Sequence, residues 1–269
     1  MYRAKPSDGT AWITGASTGI GRHLALELAR QGYTVASTAR DEHRLATLAV
    51  EAEGLPGRIV SFPCDVADAA AMQRTVHSIE RNLGPIALAI FNAGIFFPVK
   101  GDTLGVENFT SIFRINLLGV VHGLVPVVER MHERGFGHLA IVGSVTAYGG
   151  LPLSAAYGAS KAALNNMAEA LKFDFDKMNI RIQMINPGFI DTPMTKTAKF
   201  PMPALMKSEN AAKRIAEGLK KGGFEMTFPR RFTWLLKLAH LLPHPVYFEV
   251  MNYAMGWRKW PVRRAKPID

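Results

Sequence analysis

The stretch Thr14-Gly15-Ala16-Ser17-Thr18-Gly19-Ile20-Gly21 decides the fold. It follows the apolar run Ala11–Thr14 and opens the helical pattern Ile20–Gln31. Glycines between a buried strand and a helix let the backbone turn sharply and approach a pyrophosphate closely, and the helix N-terminus adds free N–H groups and a favourable dipole. The spacing Gly-x-x-x-Gly-x-Gly differs from the commoner Gly-x-Gly-x-x-Gly, and an ordinary glycine-rich turn is the alternative. We predict a phosphate-binding turn.

The same order of strand and helix recurs along the chain. The other apolar runs, predicted as buried strands, are Thr34–Thr38, Ile59–Phe62, Ile86–Phe91, His138–Gly143, Arg181–Ile185 and Phe224–Phe228. The helical patterns are Glu42–Glu51, Ala69–Leu83, Val106–Arg134, Ala156–Met178 and Ser208–Lys220. Such alternation predicts a parallel sheet with helices on both faces, and right-handed crossovers make it doubly wound. The predicted fold class is therefore α/β, with a seven-stranded, Rossmann-like parallel sheet.

The length of 269 residues suits a single α/β domain with a large sheet. We predict one domain over residues 1–269, in which residues 229–269 form a C-terminal helical extension. Pro126 interrupts a long helical pattern, so we expect a kink there or two helices. The stretch Pro187–Pro203 has four prolines and no clear period, which predicts a loop that could act as a lid.

Composition narrows the class of protein. Hydrophobic residues make up 48% and charged residues 20%, which is typical of a folded chain. The single cysteine, Cys64, excludes an internal disulfide and is expected to be a buried thiol rather than a reactive one; this favours a reducing compartment, the cytoplasm. The N-terminus has no apolar signal core, and no run of about 18 apolar residues lacks a charge, so we expect neither a signal peptide nor a transmembrane helix.

Much of the net charge of +10 lies after Phe228, where eight Lys/Arg side chains face two acidic ones. A basic tail could bind an anionic membrane or nucleic acid. The sequence has neither zinc-finger spacing nor an RNP-like aromatic motif, so we expect no nucleic-acid partner and no metal.

The tail also carries apolar stripes. Their members are Phe232, Leu235, Leu236, Ala239 and Leu242, followed by Met251, Ala254 and Met255. These stripes could form an amphipathic element with weak contact to a membrane surface, cover a pocket, or form a subunit contact. We favour packing on the same or a neighbouring subunit.

The end of the second strand indicates which dinucleotide would bind. An acidic residue there would accept from the adenosine ribose 2′-hydroxyl of NAD. The chain instead has Ala39 followed by Arg40, and a guanidinium can pair with the 2′-phosphate of NADP. Asp41 is interpreted as a helix cap. Asp65-Val66 ends the third strand, where Asp65 could accept from the adenine amino group or cap the next helix.

A group of polar side chains predicts acid–base chemistry. Ser144 follows the strand His138–Gly143, and Tyr157 and Lys161 are four residues apart on a predicted helix, so both lie on one face. A phenol has a pKa of about 10, and a neighbouring ammonium would lower that pKa towards working pH. Ser144 could hydrogen-bond a substrate oxygen and hold it near the phenol.

The motifs occur in a familiar order. The Thr14–Gly21 stretch is followed by Asn92-Ala93-Gly94, Asn116, Ser144, Tyr157-x-x-x-Lys161 and Pro187-Gly188. Together they resemble the short-chain dehydrogenase/reductase family. The motifs span residues 14 to 188, and the strand pattern extends to about residue 228.

The resemblance implies roles for the matching residues. Tyr157 would be the general acid in reduction and the general base in oxidation. Lys161 would lower the pKa of Tyr157 and hold the nicotinamide ribose hydroxyls. Ser144 would orient the substrate oxygen, and Asn116 would keep a water in a proton relay through Lys161. Taken singly, Asn116 could simply satisfy backbone groups within a helix.

The resemblance also implies a set of cofactor contacts, with Asn92-Ala93-Gly94 beside the cofactor, Pro187-Gly188 along the nicotinamide face and Thr192 bonded to its carboxamide. The residues predicted to bind NADP(H) are Gly15, Ser17, Thr18, Gly19, Ile20, Gly21, Arg40, Asp65, Val66, Asn92, Ala93, Gly94, Tyr157, Lys161, Pro187, Gly188, Ile190 and Thr192. Many NADP-preferring members carry a basic residue where this chain has Thr18, so the NADP prediction rests mainly on Arg40.

The predicted function is hydride transfer between NADP(H) and a carbonyl or hydroxyl carbon of a small lipophilic molecule. The residues expected near the substrate are mostly apolar: Ile95, Phe96, Val145, Tyr148, Leu151, Leu153, Phe189, Ile190 and Met194. The resemblance implies a homo-oligomer. The alternative hypothesis is a non-catalytic NADPH-binding sensor or scaffold, which could also be peripheral to a membrane.

Overall fold

A computed structural model describes residues 1–196, 202–221 and 223–261. The strands are β1 (Thr10–Thr14), β2 (Thr34–Thr38), β3 (Arg58–Ser61), β4 (Ile86–Phe91), β5 (Gly137–Val142), β6 (Ile180–Pro187), β7 (Ile190–Asp191), β8 (Met206–Lys207) and β9 (Glu225–Phe228). A seven-stranded sheet has the order β3-β2-β1-β4-β5-β6-β9, with every neighbouring pair parallel. The predicted α/β, doubly wound, seven-stranded sheet is confirmed.

Helices cover both faces of this sheet. They are α1 (Gly19–Arg30), α2 (Glu42–Glu51), α3 (Ala69–Leu83), α4 (Val106–Phe113), α5 (Gly119–Arg134), α6 (Ala155–Lys177), α7 (Pro193–Lys196), α8 (Ser208–Lys220), α9 (Arg230–His240) and α10 (His244–Ala254). Alternate residues of β1 point to opposite faces of the sheet, so they pack with different sets of helices. Ala11 and Ile13 pack with α1, α2 and α8, whereas Trp12 packs with α3, α5 and α6.

The reversal of strand order positions the candidate site. The chain passes from β1 outward to β3 and then returns to β4 on the other side of β1. The carboxyl ends of β1, β4, β5 and β6 therefore meet at one edge of the sheet, where doubly wound folds bind ligands. The glycine turn, Asn92, Ser144 and Gly188 follow these four strands in that order.

The helical run over residues 106–134 departs from regular α-helix earlier than predicted. We expected the interruption at Pro126, but α5 continues through that buried proline. A π-helical segment, Arg114–Leu118, joins α4 to α5 instead. The extra residue in a π-turn shifts which side chains face inward, and such segments are frequent at functional sites. Here the segment contains the fully buried Asn116.

The same run, Val106–Arg134, is long and apolar enough to cross a membrane by length and composition, the one such helix among the described residues. The run contains the charged residues Arg114 and Glu129, so it is not the charge-free run of about 18 apolar residues that the sequence was expected to lack. In the structure, 44% of the most apolar 18-residue stretch of this run is buried. Val120, Leu124 and Val127 lie in the core against the sheet. Such packing is typical of a core helix in a folded domain.

The stretch after Gly188 is more regular than the predicted loop. Short strand β7 pairs in parallel with β8, and helix α7 follows β7. The pairing joins residues 16 apart in sequence, which a local pattern does not reveal. Residues 197–201 lie outside the described residues, and the proposed lid function stays a prediction.

Helices α9 and α10 pack on the domain through only part of their surface. Ala239, Tyr247 and Met251 are buried together with Leu151 and Leu236. Only some members of the predicted packing stripes make this contact. Leu235, Leu242 and Ala254 are exposed on this chain, and packing of these residues on a neighbouring subunit stays a prediction. Residues 262–269, with three of the basic side chains of the predicted tail, lie outside the described residues.

Candidate active site

The glycine turn after β1 has the conformation that its composition requires. Gly15 has φ of +68° and Gly19 has φ of +55°, a region that side chains disfavour. A Cβ on Gly15 would lie 2.7 Å from the Ala93 Cα atom, and one on Gly21 would lie 2.4 Å from the Gly15 carbonyl oxygen. These residues must be glycine because backbone segments approach one another here.

Asn92 holds the turn in place. Its side-chain amide donates to the carbonyl oxygens of Thr14 and Gly15, each at 3.1 Å. The backbone N–H groups of Asn92 and Ala93 donate to the Thr14 hydroxyl at 3.0 and 3.2 Å. The Asn92-Ala93-Gly94 segment therefore stabilises the turn as well as lying beside the cleft.

A cleft of about 710 Å³ opens at this edge of the sheet. Most of the predicted cofactor and catalytic residues line it: Gly15, Ser17, Thr18, Gly19, Ile20, Arg40, Asp65, Val66, Asn92, Ala93, Gly94, Ser144, Tyr157, Lys161, Pro187, Gly188, Ile190 and Thr192. Gly21 and Asn116 lie outside the lining and act by packing and by hydrogen bonding. Thr192 reaches the glycine turn, because a Cβ on Gly19 would lie 3.1 Å from its methyl carbon.

The end of the cleft beside Arg40 contains a second basic residue, which the sequence analysis did not assign to the site. Arg44, on the first turn of α2, lines the cleft together with Arg40 and Asp41. Asp41 caps α2 by accepting from the Arg44 N–H at 3.0 Å, and its other oxygen lies 3.1 Å from the Arg44 Nε atom. The sequence signal for Arg44 was its spacing of four residues from Arg40, because residues i and i+4 near the start of a helix lie on the same side.

The third strand brings two further residues to this end. Asp65 lines the cleft, and its Oδ1 atom accepts from the Ala67 backbone N–H at 3.0 Å. Asp68, rather than Asp65, caps α3. Cys64 is a buried thiol whose pKa is raised, mainly by burial. Raising the pKa disfavours the reactive thiolate.

Ser144, Tyr157 and Lys161 meet at the inner end of the cleft. Ser144 follows β5, and its backbone N–H donates to the Asn186 side-chain oxygen at 3.0 Å. Its hydroxyl is hydrogen-bonded to Tyr157. Lys161 is one helix turn from Tyr157 on α6 and donates to the Val142 carbonyl oxygen at 2.7 Å. The three side chains therefore converge as their spacing predicts.

The pKa of the phenol differs from the expectation that Lys161 would lower it. Burial raises the pKa of Tyr157 to about 12, although the Ser144 hydrogen bond opposes the rise. Burial also lowers the pKa of Lys161 to about 8. The Lys161 ammonium is directed to Val142 and lies 5.7 Å from the centre of the Tyr157 ring. Loss of hydration therefore dominates in this protein.

Asn116 joins the site to the core. Its amide donates to the Ile95 carbonyl oxygen at 3.0 Å and to the Ser160 hydroxyl at 3.2 Å, and its oxygen accepts from the Ile95 N–H at 2.8 Å. A Cβ on Gly94 would lie 3.4 Å from that oxygen and 3.7 Å from the Lys161 Nζ atom. Asn116 thus satisfies backbone groups across the site, and its role in a water relay stays a prediction.

A smaller cavity of about 70 Å³ adjoins the cleft at Ser144 and Tyr157. Its apolar lining comprises Phe96, Val145, Leu151, Pro152, Phe189, Met194 and Met255. Four residues expected near the substrate do not line this cavity: Ile95 and Ile190 line the larger cleft, and Tyr148 and Leu153 lie elsewhere. Tyr148 points away and donates to Glu225 at 2.6 Å, while Leu153 is buried with φ of +65°. Met255, which follows α10, also lines the cavity. The sequence did not indicate this, because Met255 is about 100 residues from Tyr157 along the chain.

Within the described ranges, no group of three or more His, Cys, Asp or Glu side chains could hold a metal ion.

Comparisons with known proteins agree with this arrangement. A model of the short chain dehydrogenase family matches residues 9–201. An uncharacterized oxidoreductase of Myxococcus xanthus is 34% identical over 244 residues, covering 91% of this chain and 96% of that protein. A 3-oxoacyl-(acyl-carrier-protein) reductase of Thermotoga maritima is 34% identical over 206 residues, covering 77% of this chain and 82% of that protein.

Solved structures show the same fold. A short chain dehydrogenase/reductase of Burkholderia phymatum in complex with NAD matches with a TM-score of 0.79 at 19% identity. The match covers 90% of this chain and 95% of that chain. At this level of identity the likeness concerns the fold alone.

Proposed function

The chain belongs to the short-chain dehydrogenase/reductase family and is an oxidoreductase of that family, and we propose that it acts on a carbonyl or alcohol of a lipophilic small molecule with NADP(H). The observation that supports this most is the meeting of Ser144, Tyr157 and Lys161 between the cleft and the apolar cavity. A bound nicotinamide supplies or accepts the hydride.

The cleft has features that suit a dinucleotide. The glycine turn lines the cleft and lies at the N-terminus of α1. Backbone N–H groups at such a turn favour a pyrophosphate. We propose that the turn holds the pyrophosphate, that Asp65 and Val66 lie against the adenine, and that Lys161 and Thr192 bind the nicotinamide half.

Two arginines support NADP(H) over NAD(H). Arg40 and Arg44 both line the adenosine end, and guanidinium groups pair well with phosphate. Asp41 is the acidic group that could instead favour a ribose hydroxyl, but its two oxygens already face the Arg44 N–H and Nε. NAD(H), which the Burkholderia structure contains, is the alternative that cofactor kinetics would distinguish.

In the proposed reduction, Tyr157 donates a proton to the substrate oxygen. The raised pKa of Tyr157 keeps the phenol protonated at neutral pH, which suits an acid. The Ser144 hydroxyl, already bonded to Tyr157, would hold the same oxygen within reach. Lys161 would lower the pKa of Tyr157 only to the extent that its ammonium turns towards the phenol. In oxidation the proton would move the opposite way.

The apolar wall supports a lipophilic substrate. Phe96, Leu151, Phe189 and Met255 surround the small cavity beside Tyr157. A cavity of about 70 Å³ encloses only the reacting end of a substrate. The remainder would extend along apolar side chains, which gives a charged sugar or acid few polar partners.

Oxidation of NADPH, measured by absorbance with a panel of ketones and aldehydes, tests the proposal. Tyr157→Phe removes the proton donor and keeps the ring, so kcat/KM should fall about 100-fold or more. NADPH binding, measured by fluorescence, should change little. Equal turnover by the two proteins would reject the acid role. Tight NADPH binding without turnover of any carbonyl compound would instead favour a sensor or scaffold.

A further inference from the structure

Helix α9 carries an apolar stripe on the side that faces away from the domain. We call it the α9 face; its members are Trp234, Leu235 and Leu238 on α9, with Leu241 and Leu242 directly after the helix. Their exposed fractions lie between 38% and 79%. The spacing of three, four and seven residues places these side chains on one side of the helix. A helix on a monomeric surface normally turns such a stripe inward, but the inward side of α9 is Thr233, Leu236 and Ala239.

Helix α10 carries further exposed apolar groups. Val246, Val250 and Tyr253 recur at helical spacing and are exposed, with Tyr253 at 90%. Trp257 and Trp260, both half-buried, follow and are stacked with ring centroids 5.1 Å apart. Residues 234–260 therefore expose many apolar and aromatic side chains on two successive helices. Large apolar surfaces of this kind mark sites of interaction.

Basic residues stand at both ends of the apolar surface. Arg230 and Arg231 begin α9, and Arg258 and Lys259 follow α10. The sequence after residue 228 has eight Lys/Arg residues and two acidic ones; Lys237 and Arg258 are ion-paired with Glu225 and Glu249, and three further basic residues lie outside the described residues. Leucine and aromatic residues with flanking basic groups are the composition of helices that lie in a membrane interface. Anionic lipid headgroups attract each such cation.

We propose that α9, α10 and the Trp257–Lys259 turn dock on the surface of an anionic phospholipid bilayer. The leucines and aromatic side chains enter the headgroup and upper acyl region, and the arginines and lysines bind phosphates. A second copy of the chain fits this surface less well. A symmetric contact would bring two strongly basic segments together, and like charges facing each other oppose association.

Docking on a bilayer would also indicate the class of substrate. This step rests on the proposed oxidoreductase function. Met255 lines the substrate cavity, and Tyr253, two residues earlier, belongs to the exposed surface. The segment that meets the lipid is therefore continuous with the cavity wall. The substrate class that follows is a carbonyl or alcohol dissolved in the bilayer.

Vesicle sedimentation of the full-length protein tests docking without any turnover. The vesicles are phosphatidylcholine alone or with about 30 mol% phosphatidylserine, the latter to supply negative surface potential. The test variant is Leu235→Glu with Leu238→Glu. The matched control is Val50→Glu with Phe173→Glu, whose native side chains are 63% and 77% exposed on other helices. Circular dichroism confirms that each variant is folded.

We expect wild type and the control pair to sediment with the anionic vesicles, and binding to weaken as salt is raised to about 1 M. The Leu235/Leu238 pair should partition at least about tenfold more weakly, because charges replace two leucines that enter the lipid in the proposed arrangement. Wild type that stays in the supernatant with both vesicles overturns the proposal. So does equal binding by the test and control pairs.

Sedimentation velocity tests whether a second copy of the chain, rather than lipid, covers this surface. A wild-type dimer that the Leu235/Leu238 pair converts to monomer, with no vesicle binding, would assign the surface to a second copy and overturn lipid docking. Binding to vesicles by a chain that turns over no carbonyl compound would leave docking in place and remove only the proposed function.

Discussion

Tyr157 and Lys161 show how burial sets charge at the scale of single residues. Burial moves the pKa of the phenol up to about 12 and that of the ammonium down to about 8. Both shifts favour the neutral form, because the charged forms lose hydration. A protonated phenol can donate a proton, so reduction is the direction to assay first.

Arg40 is predicted to select the cofactor. Arg40→Ala removes a guanidinium beside the adenosine ribose, and one charge-assisted contact is worth about 1.5–3 kcal/mol. The KM for NADPH should rise roughly 10- to 100-fold, and that for NADH much less. Steady-state kinetics with both cofactors measure this. Arg30→Ala, at the exposed end of α1, is the control; equal effects of Arg40→Ala on both cofactors would show that Arg40 is not the selector.

His138 is predicted to weaken the protein in acid. It is buried in β5, and burial chiefly lowers the pKa of its imidazole to about 4 although Gln183 bonds it at 2.8 Å. Between pH 6.5 and about 4 the unfolded chain binds a proton that the folded chain does not, so stability falls as the pH falls. This loss amounts to about 3 kcal/mol.

Urea unfolding at several pH values measures the effect. His138→Gln should flatten the dependence of the free energy of unfolding over this window, whereas His43→Gln, on the exposed side of α2, should leave it unchanged. Parallel curves for wild type and His138→Gln would contradict the prediction.

At the scale of elements, a polar network ties the C-terminal extension to the candidate catalytic serine. Lys237 on α9 forms an ion pair with Glu225 on β9. Glu225 accepts from Asn186 on β6 at 2.8 Å, and Asn186 accepts from the Ser144 N–H at 3.0 Å. Burial would raise the pKa of Glu225, but the hydrogen bonds from Lys237, Tyr148 and Asn186 outweigh it and hold that pKa low.

Glu225 is therefore predicted to be a positioning residue. Glu225→Leu leaves Lys237 and Asn186 without their acceptor, so Ser144 should lose its alignment. We expect kcat to fall about tenfold with little change in the Kd for NADPH, and stability to fall by about 2 kcal/mol. Glu225→Gln, which keeps one acceptor, should recover part of kcat. Glu217→Gln, an exposed carboxylate on α8, is the control. Lost stability with unchanged kcat would limit Glu225 to a structural role.

At the scale of the whole molecule, α9 and α10 belong to the main domain by their packing. Their cluster packs against the partly buried Leu151, which lines the small apolar cavity, and Tyr247 donates to the Gly150 carbonyl oxygen at 2.8 Å. We therefore keep the proposal of a single domain over residues 1–269. The homo-oligomer and the cytoplasmic location stay predictions.

A cavity in the extension should thus destabilise the whole protein. Met251→Ala empties part of the buried cluster and should cost about 2 kcal/mol. Near- and far-ultraviolet circular dichroism should both shift to lower temperature by the same amount, as in one cooperative transition. Tyr253→Ala, on the exposed side of α10, should leave the transition temperature unchanged. A separate early transition in Met251→Ala would divide the chain into two units.

The sequence by itself determined the order and type of the main elements, the seven parallel strands, and the motif residues that line the cleft. These features depend on local periodicity and on residues next to strand ends, which a parallel sheet brings to one edge. Only the tertiary structure decided that Met255 and Arg44 belong to the site, that α9 turns leucines outward, and that the pKa of Tyr157 rises. The reason is physical: burial, long-range contact and the orientation of a helix depend on neighbours distant in sequence.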